Sequence, residues 1–202
     1  EQHRLRQWRS LVRRVRLRAH QGDRAVVPLL SQLVGGTHTC QSAADDHHPA
    51  LAHARARSQA RAASASDTPA DLISLCLGIN VQGGASLSER TLRPAVIGFV
   101  KLVREKHPTT PLAVISPIFA PQREATPNAV GLDLRRMRQE VRAAVETLQA
   151  FGDDHLTYVD GLELFGPELG HLLPDDLHPS AEGYEVLARR FSELVMPALR
   201  PA

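Results

Sequence analysis

Two short strings hold residue types that could do chemistry together. The first is Pro174-Asp-Asp-Leu-His-Pro-Ser-Ala-Glu-Gly-Tyr184. In a turn, an acid three residues ahead of a histidine can bend back and accept the imidazole Nδ1–H. That fixes the tautomer and leaves Nε2 free as a general base. Asp175 and His178 are the candidates for this pair, and Pro179 and Ser180 mark where the loop ends and a helix starts. A blander reading stands beside it, in which the loop is an acidic helix cap with His178 on the surface.

The second string is Gly78-Ile79-Asn80, directly after an apolar run. Ligands of parallel α/β sheets bind at the carboxyl ends of strands. Gly78 permits a tight turn there. The Asn80 amide could donate to a developing oxyanion, a contact worth about 3–4 kcal/mol of barrier. An ordinary strand-to-loop turn also favours Gly and Asn.

The elements that must position these strings come in a regular order from Asp67. Residues 71–77 form a nearly continuous apolar run, as a strand buried on both faces requires. A helix capped by Ser88 is predicted to about Lys106, with Leu92, Val96, Phe99, Val100 and Val103 on one face. Residues 112–116 read as a second buried strand. A loop containing Pro117, Pro121, Pro127 and Gly131 leads into a long helix ending near Phe151. Its stripe is Leu134, Met137, Val141, Val145 and Leu148, and Gly152 is its stop. Residues 156–160 read as a third strand. A last helix from Ser180 to about Met196 is expected to bury Tyr184, Leu187, Ala188, Phe191 and Leu194. Arg135, Arg136, Arg138 and Arg142, beside Asp133, Glu140 and Glu146, read as a solvated helix face with i,i+4 pairs. Strand–helix three times over implies an α/β fold, a parallel sheet with helices on both faces.

In this order and on these elements, the two strings resemble the SGNH/GDSL hydrolase family over residues 67–199. Gly78-Ile79-Asn80 looks like the family's third motif block, and Asp175 with His178 like the block counted as the fifth. The resemblance implies a three-layer, flavodoxin-like sandwich. It also implies hydrolysis of a small-molecule ester or thioester through a serine acyl-enzyme, without metal or organic cofactor. His178 would be the base, Asp175 its orienter and Asn80 the oxyanion-hole donor, with Gly78 shaping the turn.

One block departs from the family. Its first block is Gly-Asp-Ser, whose serine is the nucleophile, and that string occurs nowhere here. The closest string, Gly22-Asp23-Arg24, carries arginine at the nucleophile's place and reads as coincidence. Gly35-Gly36 is the nearest counterpart of the second-block glycine. Ser31, Ser42 and Ser58 could substitute only by accident of geometry, so the nucleophile is unassigned. Without it the His–Asp pair has nothing to activate. The expected function is therefore an acyl-ester hydrolase with an incomplete site. The alternative is a non-catalytic protein that keeps the scaffold and binds rather than cleaves.

The 202 residues suffice for one α/β domain. Composition sets residues 1–66 apart, with a charge balance of +7 against −5 for the remainder. This first segment is rich in Arg, Ala, His and Ser, and only residues 25–34 could supply an apolar element. It is expected to be poorly ordered or aberrant, such as an out-of-frame stretch, leaving residues 67–202 as the domain. His38, Cys40, Asp45, Asp46, His47, His48 and His53 match no standard metal spacing and read as a solvated loop. Eight arginines between Arg4 and Arg24, with Trp8 the only nearby aromatic, read as a basic tail rather than a specific nucleic-acid reader.

Cys40 and Cys76 make no disulfide framework, and Cys76 is expected to be a buried thiol. No apolar run approaches the roughly 20 residues of a membrane span. Residues 25–36 only loosely mimic a secretion signal, so a cytoplasmic reading is favoured over a secreted one with localisation left open. Oligomeric state is not encoded in any of these signals.

Overall fold

The computed structural model describes residues 69–199 and the backbone of a strand at 26–29. The Arg4–Arg24 arm, Gly22-Asp23-Arg24, Ser31, Gly35-Gly36, Ser42, Ser58 and the His/Cys/Asp cluster at 38–53 lie outside the described residues.

Among the described residues, four parallel strands form one sheet in chain order: β1 (Val26–Leu29), β2 (Leu72–Cys76), β3 (Leu112–Ile115) and β4 (Leu156–Val159). The register pairs Leu29 with Leu75, Cys76 with Ile115, and Ile115 with Val159. The carboxyl ends of the strands are therefore level. The first strand comes from the one apolar stretch upstream of Asp67.

Strand side chains alternate between the two faces, as a period of two demands. Ile73, Leu75, Leu112 and Val114 join one buried cluster, while Leu72, Ala113, Ile115 and Val159 join another. Over the first face lie α2 (Glu89–Arg104) and α3 (Leu134–Ala150), which come after a short helix, α1 (Ile79–Gly84). They bury Leu92, Val96, Val100 and Val103 from α2, with Leu134, Met137, Val141, Val145 and Leu148 from α3. These are the apolar stripes expected from the sequence, save that Phe99 is only half-buried. Ser88 caps α2, with Thr91 Oγ1 accepting the Ser88 N–H at 2.9 Å. Gly152 lies just past α3 at φ +91°, a conformation that suits a glycine stop.

The C-terminal segment covers the second face, so the molecule is a three-layer α/β sandwich. After a turn of helix, α4 (Gly161–Leu164), and a 3₁₀ segment (Pro167–Leu172), it runs as α5 (Ala181–Arg190). A π-type stretch (Phe191–Val195) and a final turn, α6 (Met196–Ala198), complete it.

Burial of this last helix corrects the sequence expectation. Tyr184, Leu187 and Phe191 are only half-buried, and Ala188 and Leu194 are exposed; Val195 and Leu199 are buried instead. Beyond Phe191 the π-type winding explains the shift, because it fits an extra residue into the turn and rotates the residues that follow. A strict 3.6-residue repeat picks Leu194, whereas the widened turn presents Val195.

Candidate active site

The candidate residues lie in the turn after β2 and in the loop ahead of α5, and the loop after β3 contacts both, through Pro117 beside Gly78 and Gln122 on Asp176. Beyond β2 the chain turns at Gly78, which has φ +120° and acts as the N-cap of α1. A side chain at Gly78 is excluded twice. L-residues rarely adopt that φ, and a Cβ would lie 2.5 Å from Pro117 Cγ. Asn80 therefore sits in the first turn of a short helix, half-buried, rather than in the simple loop that Gly-x-Asn suggests.

The loop ahead of α5 is closed at its base by Ser180 N–H donating to the Leu172 carbonyl at 2.8 Å. Ser180 then caps α5 by accepting from Gly183 N–H. Within the loop, Asp175 uses both oxygens. Oδ1 accepts the backbone N–H groups of Leu177 at 3.1 Å and His178 at 2.7 Å. Oδ2 lies 2.7 Å from His178 Nδ1. Both side chains are 55% exposed. Partial desolvation opposes ionisation of Asp175, but the hydrogen bonds from the His178 ring and the two backbone amides outweigh it. They hold the carboxyl down at about 2. An ionised carboxylate only accepts, so Nδ1 carries the hydrogen, and in the neutral imidazole Nε2 is the nitrogen with the lone pair. Leu177 and Ile79, neighbours in sequence of His178 and Asn80, both pack against the larger core cluster.

Cys76, at the end of β2, is the nearest thiol in sequence to Gly78. It is half-buried rather than buried, and it packs among apolar side chains. Desolvation pushes its thiol up to about 11, so it stays protonated at neutral pH and is a poor nucleophile.

The charged face expected on α3 is not uniformly solvated. Arg138 and Glu140 are buried, 5% and 3% exposed. Glu140 takes a bidentate pair from Arg93 of α2, with Arg93 Nε to Oε2 at 2.9 Å. Arg138 pairs with Glu124 in the loop after β3, at 2.6 Å and 2.8 Å. Only Arg136 makes an i,i+4 contact of the expected kind, at 3.6 Å to Glu140. The partners of Arg138 and Glu140 are 14 and 47 positions away, which helical spacing cannot show.

Among the described residues no helix is long and apolar enough to cross a membrane.

The model of the GDSL-like Lipase/Acylhydrolase family matches residues 2–186. Among curated proteins none matches the chain. Among solved structures, the salicylyl-acyltransferase SsfX3 from a tetracycline biosynthetic pathway is similar at 32% identity and a TM-score of 0.60. That likeness covers 69% of this chain and 42% of the acyltransferase. A carbohydrate esterase family 3 protein from Talaromyces cellulolyticus is similar at 15% identity and TM-score 0.53, over 68% of this chain and 63% of its own. A peptidoglycan O-acetylesterase is similar at 18% identity and TM-score 0.51, over 71% and 42%. The last two show the fold alone. The chain spans about two fifths of the acyltransferase's length.

Proposed function

We propose, from the premise that this chain belongs to the GDSL-like lipase/acylhydrolase family, that it is an acyl-ester hydrolase of the SGNH type working through a serine acyl-enzyme. The observation that carries this reading is the Asp175–His178 contact at 2.7 Å, with both backbone amides on the other carboxylate oxygen. His178 Nε2 takes the proton of the attacking hydroxyl. The ionised Asp175 steadies the imidazolium that forms, without itself taking the proton. The nucleophile's oxygen then bonds to the acyl carbon, and the carbonyl oxygen gathers negative charge. Asn80 donates its amide N–H to that oxygen, and Gly78 sets where Asn80 stands. His178 returns the proton to the leaving alcohol or thiol. A water activated by the same imidazole releases the acid. The substrate is a small-molecule ester or thioester, and the chemistry of these residues needs no metal or organic cofactor.

The absence of Gly-Asp-Ser from the sequence favours a second reading, a scaffold that binds without cleaving. One experiment separates the two. The chain and its His178→Ala variant are assayed on a short p-nitrophenyl ester and labelled with a fluorophosphonate, the labelled peptide being mapped by mass spectrometry. Turnover and a labelled serine, both lost in His178→Ala, support the hydrolase and identify the nucleophile. No turnover and no label in either protein support the binding scaffold.

A further inference from the structure

The loop between β3 and α3 touches both halves of the site, and one buried cation organises it. Arg138 Nε donates to the Pro117 carbonyl at 2.7 Å, and Nη2 to the Ile118 carbonyl at 3.2 Å. The other edge of the guanidinium meets Glu124, whose Oε1 also accepts the Ala120 N–H at 3.2 Å. Residues 117–124 are thus wrapped around a single side chain. Pro117 is the residue packed against Gly78. From the same loop, Arg123 Nη1 donates to Gln82 Oε1 at 2.7 Å and Asn128 Nδ2 to the Gln82 carbonyl at 2.9 Å, so α1 is held from above. Gln122 Nε2 donates to Asp176 Oδ2 at 2.6 Å, which reaches the residue between Asp175 and Leu177.

We infer that Arg138 and Glu124 are positioning residues for the site. Their part-buried pair fixes the 117–124 loop, and that loop sets Asn80 through Pro117 and Gln82, and the Asp175–His178 loop through Gln122. Neither residue contacts the reacting atoms. A planar guanidinium serves two carbonyls and two carboxylate oxygens at once, a geometry that a lysine ammonium cannot reproduce. The catalytic consequence rests on the hydrolase reading above; the mechanical coupling does not.

Backbone hydrogen exchange, monitored by mass spectrometry on the full chain, tests the coupling without needing activity. In Arg138→Lys and Glu124→Gln, exchange is expected to rise about tenfold in residues 78–85 and in residues 173–179, while residues 142–150 stay within about twofold of wild type. Gln122→Ala, at an exposed position, is expected to loosen residues 173–179 alone. Unchanged exchange at 78–85 in both pair variants overturns the inference. So does a uniform rise through the whole domain, which would make the pair a general stabiliser. Hydrolysis of p-nitrophenyl acetate is read alongside. Where wild type turns over, the pair variants are expected to lose about tenfold in kcat with KM within about twofold, and a loss confined to KM overturns the positioning role. A wild type without turnover counts against the hydrolase reading, and the exchange data still decide the coupling.

Discussion

The turn after β2 and the loop ahead of α5, which carry the two halves of the proposed site, are held by different forces. Around Gly78 the constraint is steric, with positive φ, no room for a Cβ, and Pro117 pressed against the backbone. Around Asp175 the constraint is electrostatic and local. Three hydrogen bonds within four residues fold an exposed loop onto itself. A side chain at Gly78 should therefore damage the first half, and a change in the hydrogen bonds of Asp175 the second.

The largest expected effect sharpens the second half. Asp175→Asn keeps the size and the acceptor for the backbone amides but presents an amide to the imidazole. Hydrolysis of a p-nitrophenyl ester is expected to fall about 10⁴-fold while stability to denaturant changes by under about 1 kcal/mol. A comparable loss of stability would show that the loop is structural. Asn80→Ala comes next, with kcat expected to drop about 10²–10³-fold and substrate affinity little changed. An unaltered kcat would remove Asn80 from the reaction.

Gly78→Ala tests the steric half. Strain at positive φ and the overlap with Pro117 together should cost about 3 kcal/mol or more in urea unfolding. A cost near zero would mean that Pro117 yields easily. The smallest effect is the pH response. Because the carboxyl of Asp175 is depressed in the folded state, its ionised form adds stability above its ordinary value of 3.8, and this is lost as pH falls through about 2. Thermal melts of wild type and Asp175→Asn should converge across that interval. The gap at higher pH should be narrow, because the pair is exposed and screened.

The parts legible in the sequence are those whose surroundings are uniform. The second and third strands are buried on both faces, so 71–77 and 112–116 show as apolar runs. The stripe from Leu134 to Leu148 faces one cluster, so its repeat is regular. The Asp175–His178 contact could be anticipated because three residues in a turn decide it. Arg138 could not, because its role depends on Glu124 and on two carbonyls about twenty positions earlier. Helix α1 is not legible in the sequence for a similar reason. It contains Gly83 and Gly84 and has no side-chain cap, and loop residues Arg123 and Asn128 bind its Gln82 from outside.

The π-type stretch at Phe191–Val195 gives the last helix an unequal tolerance to changes of length. Inward positions there step from Phe191 to Val195 to Leu199, and removing one residue between Phe191 and Val195 would restore spacings of an ordinary α-helix with the same side chains facing the sheet. The same deletion inside α3 would turn everything beyond it by about 100° and carry Val141, Val145 and Leu148 out of the core. Deleting Ser192 should therefore lower the melting temperature far less than deleting Gln139, so that the C-terminal layer can absorb a register change that the layer carrying Arg138 cannot.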